Sequence, residues 1–96
     1  MKQLIVVETI HAKPGQANDL KQALLDMVPF SLKETGCLLY EIAESVQNKE
    51  IFLVLMRWEN KQQFDAHGHS AHVQEFIKKY DNILYGAFEE ACWLTC

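Results

Sequence analysis

Three of the four histidines stand within six residues, in His67-Gly68-His69-Ser70-Ala71-His72. Imidazole is the commonest protein metal ligand and the side chain that titrates near neutrality, so this cluster is the first place to look for zinc, iron or proton chemistry. Helical metal ligands usually stand four apart. Here the spacings are two and three across a glycine, and Asp65 is the only carboxylate close in sequence. The expectation is therefore no metal and no cofactor. His67 falls one turn after Phe64, on the helix face expected to turn toward a sheet, and His69 reads as a solvated loop residue. Cys37 follows Gly36 at a strand start, with no basic neighbour to lower its thiol pKa. Cys37, Cys92 and Cys96 read as small hydrophobes, the last two on one face of the final strand. GxSxG, P-loop and GxGxxG patterns are missing, so no recognised loop would hold a nucleotide or a flavin. The aromatics Tyr40, Phe52, Trp58, Phe64, Phe76 and Tyr85 are mostly core by default, and several could line a cavity for a flat apolar ligand.

The elements that must position these residues follow from periodicity. Leu4 to Ile10 is a β-branched strand ended by Lys13-Pro14-Gly15. From Gln16 the apolar positions Ala17, Leu20, Leu24, Met27 and Val28 take helical spacing, and Pro29 should kink or stop that helix. Gly36 marks the break before a strand from Cys37 to Ser45, a polar loop at Gln47-Asn48-Lys49-Glu50 and a partner strand from Ile51 to Trp58. Asn60 and Gln63 resemble a capping box that opens a short helix through His67. Gly68 interrupts it, and Ser70 is placed to cap a second piece carrying Val73, Phe76, Ile77 and Tyr80. Ile83 to Thr95 reads as one long last strand. The order β-α-β-β-α-β is an α+β, ferredoxin-like arrangement with an antiparallel sheet.

Ninety-six residues make one domain, 1–96, and a 49% hydrophobic share excludes disorder. Such a short chain has a thin core. Yet Ile51-Phe52-Leu53-Val54-Leu55-Met56 and Leu4-Ile5-Val6-Val7 are apolar on both faces. Two helices cover one face of a four-stranded sheet, so a second copy of the chain is expected on the other, as a homodimer. Nine basic and thirteen acidic residues give a net charge of −4, which argues against nucleic acid and anionic membrane as partners. No apolar run approaches the ~18 residues of a membrane span. The short apolar run at the N-terminus ends at Glu8 with no cleavage site after it. Three cysteines with no CxxC pair do not make a disulfide framework. The expected location is cytoplasmic, with reduced thiols.

The strand leading into Lys13-Pro14-Gly15, the segment Glu34-Thr35-Gly36-Cys37-Leu38-Leu39-Tyr40-Glu41, and the run Trp58-Glu59-Asn60, Phe64-Asp65-Ala66-His67, Ser70-Ala71-His72 and Phe76 share one order and spacing with a known domain. Over nearly its whole length the chain resembles the antibiotic biosynthesis monooxygenase (ABM) domain, in its quinol-monooxygenase-like branch. The resemblance implies a ferredoxin-like fold dimerised into an α/β-barrel, and cofactor-independent oxygenation of a small aromatic quinol or polyphenol by O2. It casts His67 as base or hydrogen-bond partner and His72 as the second catalytic candidate. Trp58, Tyr40, Phe64 and Phe76 become the substrate-binding wall. Many members carry Glu two residues before the Trp, where this chain has Met56. The haem-degrading branch would place its hallmark Asn, Trp and His on Glu8, His67 and Ile77, and none matches. Another branch isomerises a small phosphorylated signalling sugar, but Lys78-Lys79 lie on the expected outer helix face. The alternatives are a non-catalytic dimeric small-ligand-binding protein and an isomerase of that kind.

Overall fold

The computed structural model describes residues 2–96. Strand β1 (Leu4–His11) leads into helix α1 (Ala17–Leu32), followed by the hairpin β2 (Cys37–Glu44) and β3 (Ile51–Trp58). Helices α2 (Lys61–Gly68) and α3 (Ala71–Tyr80), a 3-10 turn at Asp81–Ile83 and strand β4 (Glu89–Leu94) complete the chain. The sheet order is β2-β3-β1-β4 with every neighbour antiparallel, the ferredoxin-like topology expected from the element order. Among the described residues no helix is long and apolar enough to cross a membrane.

Strand alternation sorts the side chains onto two faces. Along β3, Phe52, Val54, Met56 and Trp58 are buried beneath the helices, while Ile51, Leu53, Leu55 and Arg57 are only half-buried on the reverse. The covered face packs Leu4, Val6 and Ile10 of β1 with those β3 residues against Leu20, Leu24 and Met27 of α1 and Phe76 of α3. On the reverse face Val7 pairs across with Leu55 and Ala91, and Ile5 with Trp93, so this second face is also apolar. Trp93 stands 63% exposed there.

Four local expectations need correction. Pro29 does not stop α1, which runs on to Leu32. The proline forfeits the bond to the Leu25 carbonyl. The final turn is nevertheless held by the fully buried Ser31, whose carbonyl accepts from the Glu34 N–H at 3.1 Å. The last strand begins at Glu89 rather than Ile83. Before it the chain is a 3-10 turn, a single bridge from Leu84 to Ala12, and Gly86 at φ +79°, a left-handed conformation that interrupts the ladder. Ser70 makes no side-chain cap for α3, because its hydroxyl donates to the His67 carbonyl at 2.6 Å and closes the end of α2 instead. Cys92 and Cys96 are exposed rather than buried, Cys96 lying beyond the end of β4 on the sheet edge.

The start of α2 is half of the expected capping box. Asn60 Oδ1 accepts the Gln63 N–H at 2.9 Å, but Gln63 Oε1 is buried without a partner. Gly36 explains the crowding. A Cβ there would stand 1.6 Å from Gln63 Oε1, and its φ of +85° is one that L side chains rarely adopt. This close approach seats α2 on the start of β2 and so fixes where its last turn, with His67, meets the sheet.

Candidate functional site

His67 is the buried polar residue of α2, 5% exposed. Its ring packs 4.9 Å from Trp58 and 5.6 Å, edge-on, from Tyr40. Nδ1 lies 2.6 Å from Oε1 of Glu34, which arrives from the connection between α1 and β2. A carboxylate only accepts, so Nδ1–H donates, and in the neutral ring Nε2 is left as the free lone pair. Among the described residues Nε2 has no hydrogen-bond partner.

Behind this pair the polar network continues. The same Glu34 oxygen is 3.2 Å from His72 Nε2, which is also 3.2 Å from the Ser31 hydroxyl. The ligand atoms of Glu34, His67 and His72 lie within 4.8 Å of one another, a donor set that suits a divalent cation. Ligands about 2.0–2.1 Å from a tetrahedral zinc stand about 3.3 Å apart, so the Glu34–His67 contact is too close for that geometry and is a hydrogen bond. His69 is outside the network: it is exposed, with Nδ1 2.8 Å from the Asp65 carbonyl oxygen.

His67 lines a cavity of about 170 Å³ between the sheet and the helices. Leu24, Met27, Val54, Phe64, Phe76 and Phe88 make its apolar wall, and Tyr40 adds a phenol. Two carboxyls, Glu8 of β1 and Glu90 of β4, also line it. Burial pushes the Glu8 carboxyl up to about 8, reinforced by a hydrogen bond to Glu90 and by the negative charge of Glu90. Burial above all raises the Tyr40 hydroxyl beyond the ordinary phenol range. The arrangement can hold a flat apolar molecule, accept a proton at Nε2 of His67 and donate one from Glu8.

Residues 3–79 match the sequence profile of the family described as "Antibiotic biosynthesis monooxygenase". The chain belongs to that family. A Bacillus subtilis (strain 168) protein named "Putative monooxygenase YcnE" is 27% identical over 82 residues, 84% of this chain and 86% of the relative. The fold is also that of solved structures. PA3566 from Pseudomonas aeruginosa superposes with a TM-score of 0.93 at 23% identity, covering 100% of this chain and 96% of its own. A conserved protein from Methanosarcina mazei Go1 gives 0.89 at 25% identity, covering 97% and 92%.

In this ABM domain the residues singled out from sequence fall in three places. His67, Tyr40, Phe64 and Phe76 share the cavity. Trp58 stands behind it, fully buried against His67 and Phe64, with its Nε1 unpartnered. His72 lines a separate groove of about 440 Å³ between α1 and α3, stacked on Phe30, and touches the cavity only through Glu34 and His67. Met56, at the position where many ABM members carry Glu, is a fully buried core side chain. Sequence reasoning missed Glu34, Ser31, Glu8 and Glu90. Glu34 stands 33 residues from His67, so only the fold brings them together. Glu8 did carry a signal: an acidic residue among the apolar residues of a central strand, on its helix-facing side.

Proposed function

We propose that this protein is a cofactor-independent monooxygenase of small, single-ring aromatic quinols or polyphenols. The cavity size supports a small substrate, since an apolar cavity of roughly 150 Å³ already accommodates benzene. The observation that carries the reading is His67, buried, with Nδ1–H held by Glu34 and Nε2 free on an apolar cavity. Nε2 takes a hydroxyl proton of the quinol, and the electron-rich phenolate that results reduces O2 directly. For the simplest substrate the balance is quinol plus O2 to hydroxyquinone plus water. One oxygen atom forms the new C–O bond and the other leaves as water. All four electrons come from the substrate. Glu34 orients the ring and stabilises the imidazolium while the proton is held. Trp58 fixes the ring from behind, His72 steadies Glu34, and Tyr40, Phe64 and Phe76 wall the substrate from water.

The working unit we propose is a homodimer, sheet packed on sheet, because the reverse face around Val7, Leu55 and Trp93 is apolar and no helix covers it. A reducing, cytoplasmic location suits its three unpaired cysteines. Oxygen uptake with a panel of hydroquinones tests the reaction. Wild type should consume O2, and His67→Ala should be slowed on the order of 10²-fold or more, the usual loss of a general base. Equal rates would remove His67 from the mechanism. Absence of uptake with every quinol, alongside ligand-dependent thermal stabilisation, would make the protein a non-catalytic binder.

A further inference from the structure

Glu8 and Glu90 are direct cross-strand partners on β1 and β4, on the helix-facing side of the sheet, and both line the cavity. Like charges directly opposite each other on a sheet repel, and two carboxylates this close resist double ionisation. Among the described residues the positive charge that reaches the pair is that of Lys61, which is exposed and attracts Glu90 from the surface. β4 adds the Cys92 thiol, 3.8 Å from Glu90 Oε2, and β2 adds the Tyr40 hydroxyl. α2 contributes His67, committed to Glu34, and Lys61, whose amine pairs with Asp65 at 2.8 Å. From α3 and β3 the cavity receives only apolar side chains, among them Val73, Phe76 and Val54.

The pair does not stand alone. In the same cavity stands His67, at least nine-tenths buried, whose Nε2 makes no hydrogen bond among the described residues. A ligand in the cavity meets this free nitrogen as well as the carboxyl pair.

We propose that Glu8 and Glu90 are the polar anchor of the cavity, a carboxyl pair holding one proton, which grips a hydroxyl or carbonyl of a neutral aromatic ligand and rejects anionic ones. The protonated carboxyl donates to the ligand oxygen, and its partner accepts a ligand hydroxyl. A ligand carboxylate or phosphate would instead meet the negative charge of the pair. The high titration of Glu8 agrees with this arrangement. The proposal rests on reading the cavity as a phenol site and narrows it to uncharged phenols.

The test is direct, anaerobic binding of hydroquinone and 2,5-dihydroxybenzoate. At pH 6 wild type should bind hydroquinone at least tenfold more tightly than the benzoate. Hydroquinone affinity should fall about tenfold by pH 9 as the shared proton leaves. Glu8→Gln, a permanent mimic of the protonated state, should flatten that profile. The double variant Glu8→Gln/Glu90→Gln should bind the benzoate at least tenfold better. Equal affinities in wild type, or no binding of hydroquinone, overturn the anchor, as does an unchanged preference in the double variant. Carboxyl-carbon NMR of the unliganded wild type keeps the test independent of variant folding. One proton of the pair should leave in the ordinary carboxylate range and the other well above it. Loss of both below pH 6 also overturns the proposal. If hydroquinone binds with the expected selectivity but is never oxygenated, the oxygenase reading falls and the anchor stands.

Discussion

Glu8 carries a thermodynamic cost whose sign is fixed by its environment. Its carboxyl titrates near 4.5 when the chain is unfolded and near 8 when folded, because burial and Glu90 disfavour the charged form. Between those values the folded chain holds a proton that the unfolded chain has released. Stability therefore declines as pH rises through this window, and the loss is complete above about 8. Glu8→Gln should remove the loss. Its advantage over wild type should be near zero at pH 4.5 and reach on the order of 1–2 kcal/mol at pH 9, less than a sealed carboxylate would give because Glu90 opens to solvent. Thermal melts across that range would show a growing gap of roughly 4–8 °C per kcal/mol. Parallel curves would mean that Glu8 titrates normally. His67 was legible in the sequence because helical spacing placed it one turn from Phe64. Glu34 was not, because its role depends on a loop folding back onto a helix that begins 27 residues later.

Among the elements, the contact between α2 and the start of β2 is the joint that sets the histidine, and Gly36 controls it. Gly36→Ala meets both a left-handed backbone and the Gln63 side chain, whereas Gly86→Ala meets a similar φ in open space. Gly86→Ala should cost the conformational penalty alone, about 1–2 kcal/mol. Gly36→Ala should cost at least 1 kcal/mol more, since Gln63 has to move away from α2's seat. Urea midpoints of the two variants measure the difference, and equal midpoints would show that Gln63 yields freely. Element order, strand pairing and the split second helix were readable from periodicity, glycine and the Asn60 cap. The persistence of α1 past Pro29 and the late start of β4 were not. The first depends on tertiary burial of Ser31. The second depends on a left-handed Gly86 that no apolar pattern announces.

At the scale of the whole molecule, the sheet has one face built into the core and one face that is apolar without a helix over it. A homodimer should give a two-chain mass by light scattering at micromolar concentration. Val7→Lys, at the middle of the reverse face between Leu55 and Ala91, should shift that mass to one chain. A wild-type mass of one chain would leave the face uncovered and remove the barrel. The two tryptophans stand on opposite sides of this division, Trp58 sealed against His67 and Trp93 on the reverse face. The molecule thus carries two optical reporters with separable environments. Blue emission from Trp58 will dim whenever His67 takes up a proton, since an imidazolium quenches an indole in contact with it. Red emission from Trp93 will move to shorter wavelength whenever its face is covered. Unlabelled protein can therefore report the protonation of one site and the assembly of another in a single spectrum.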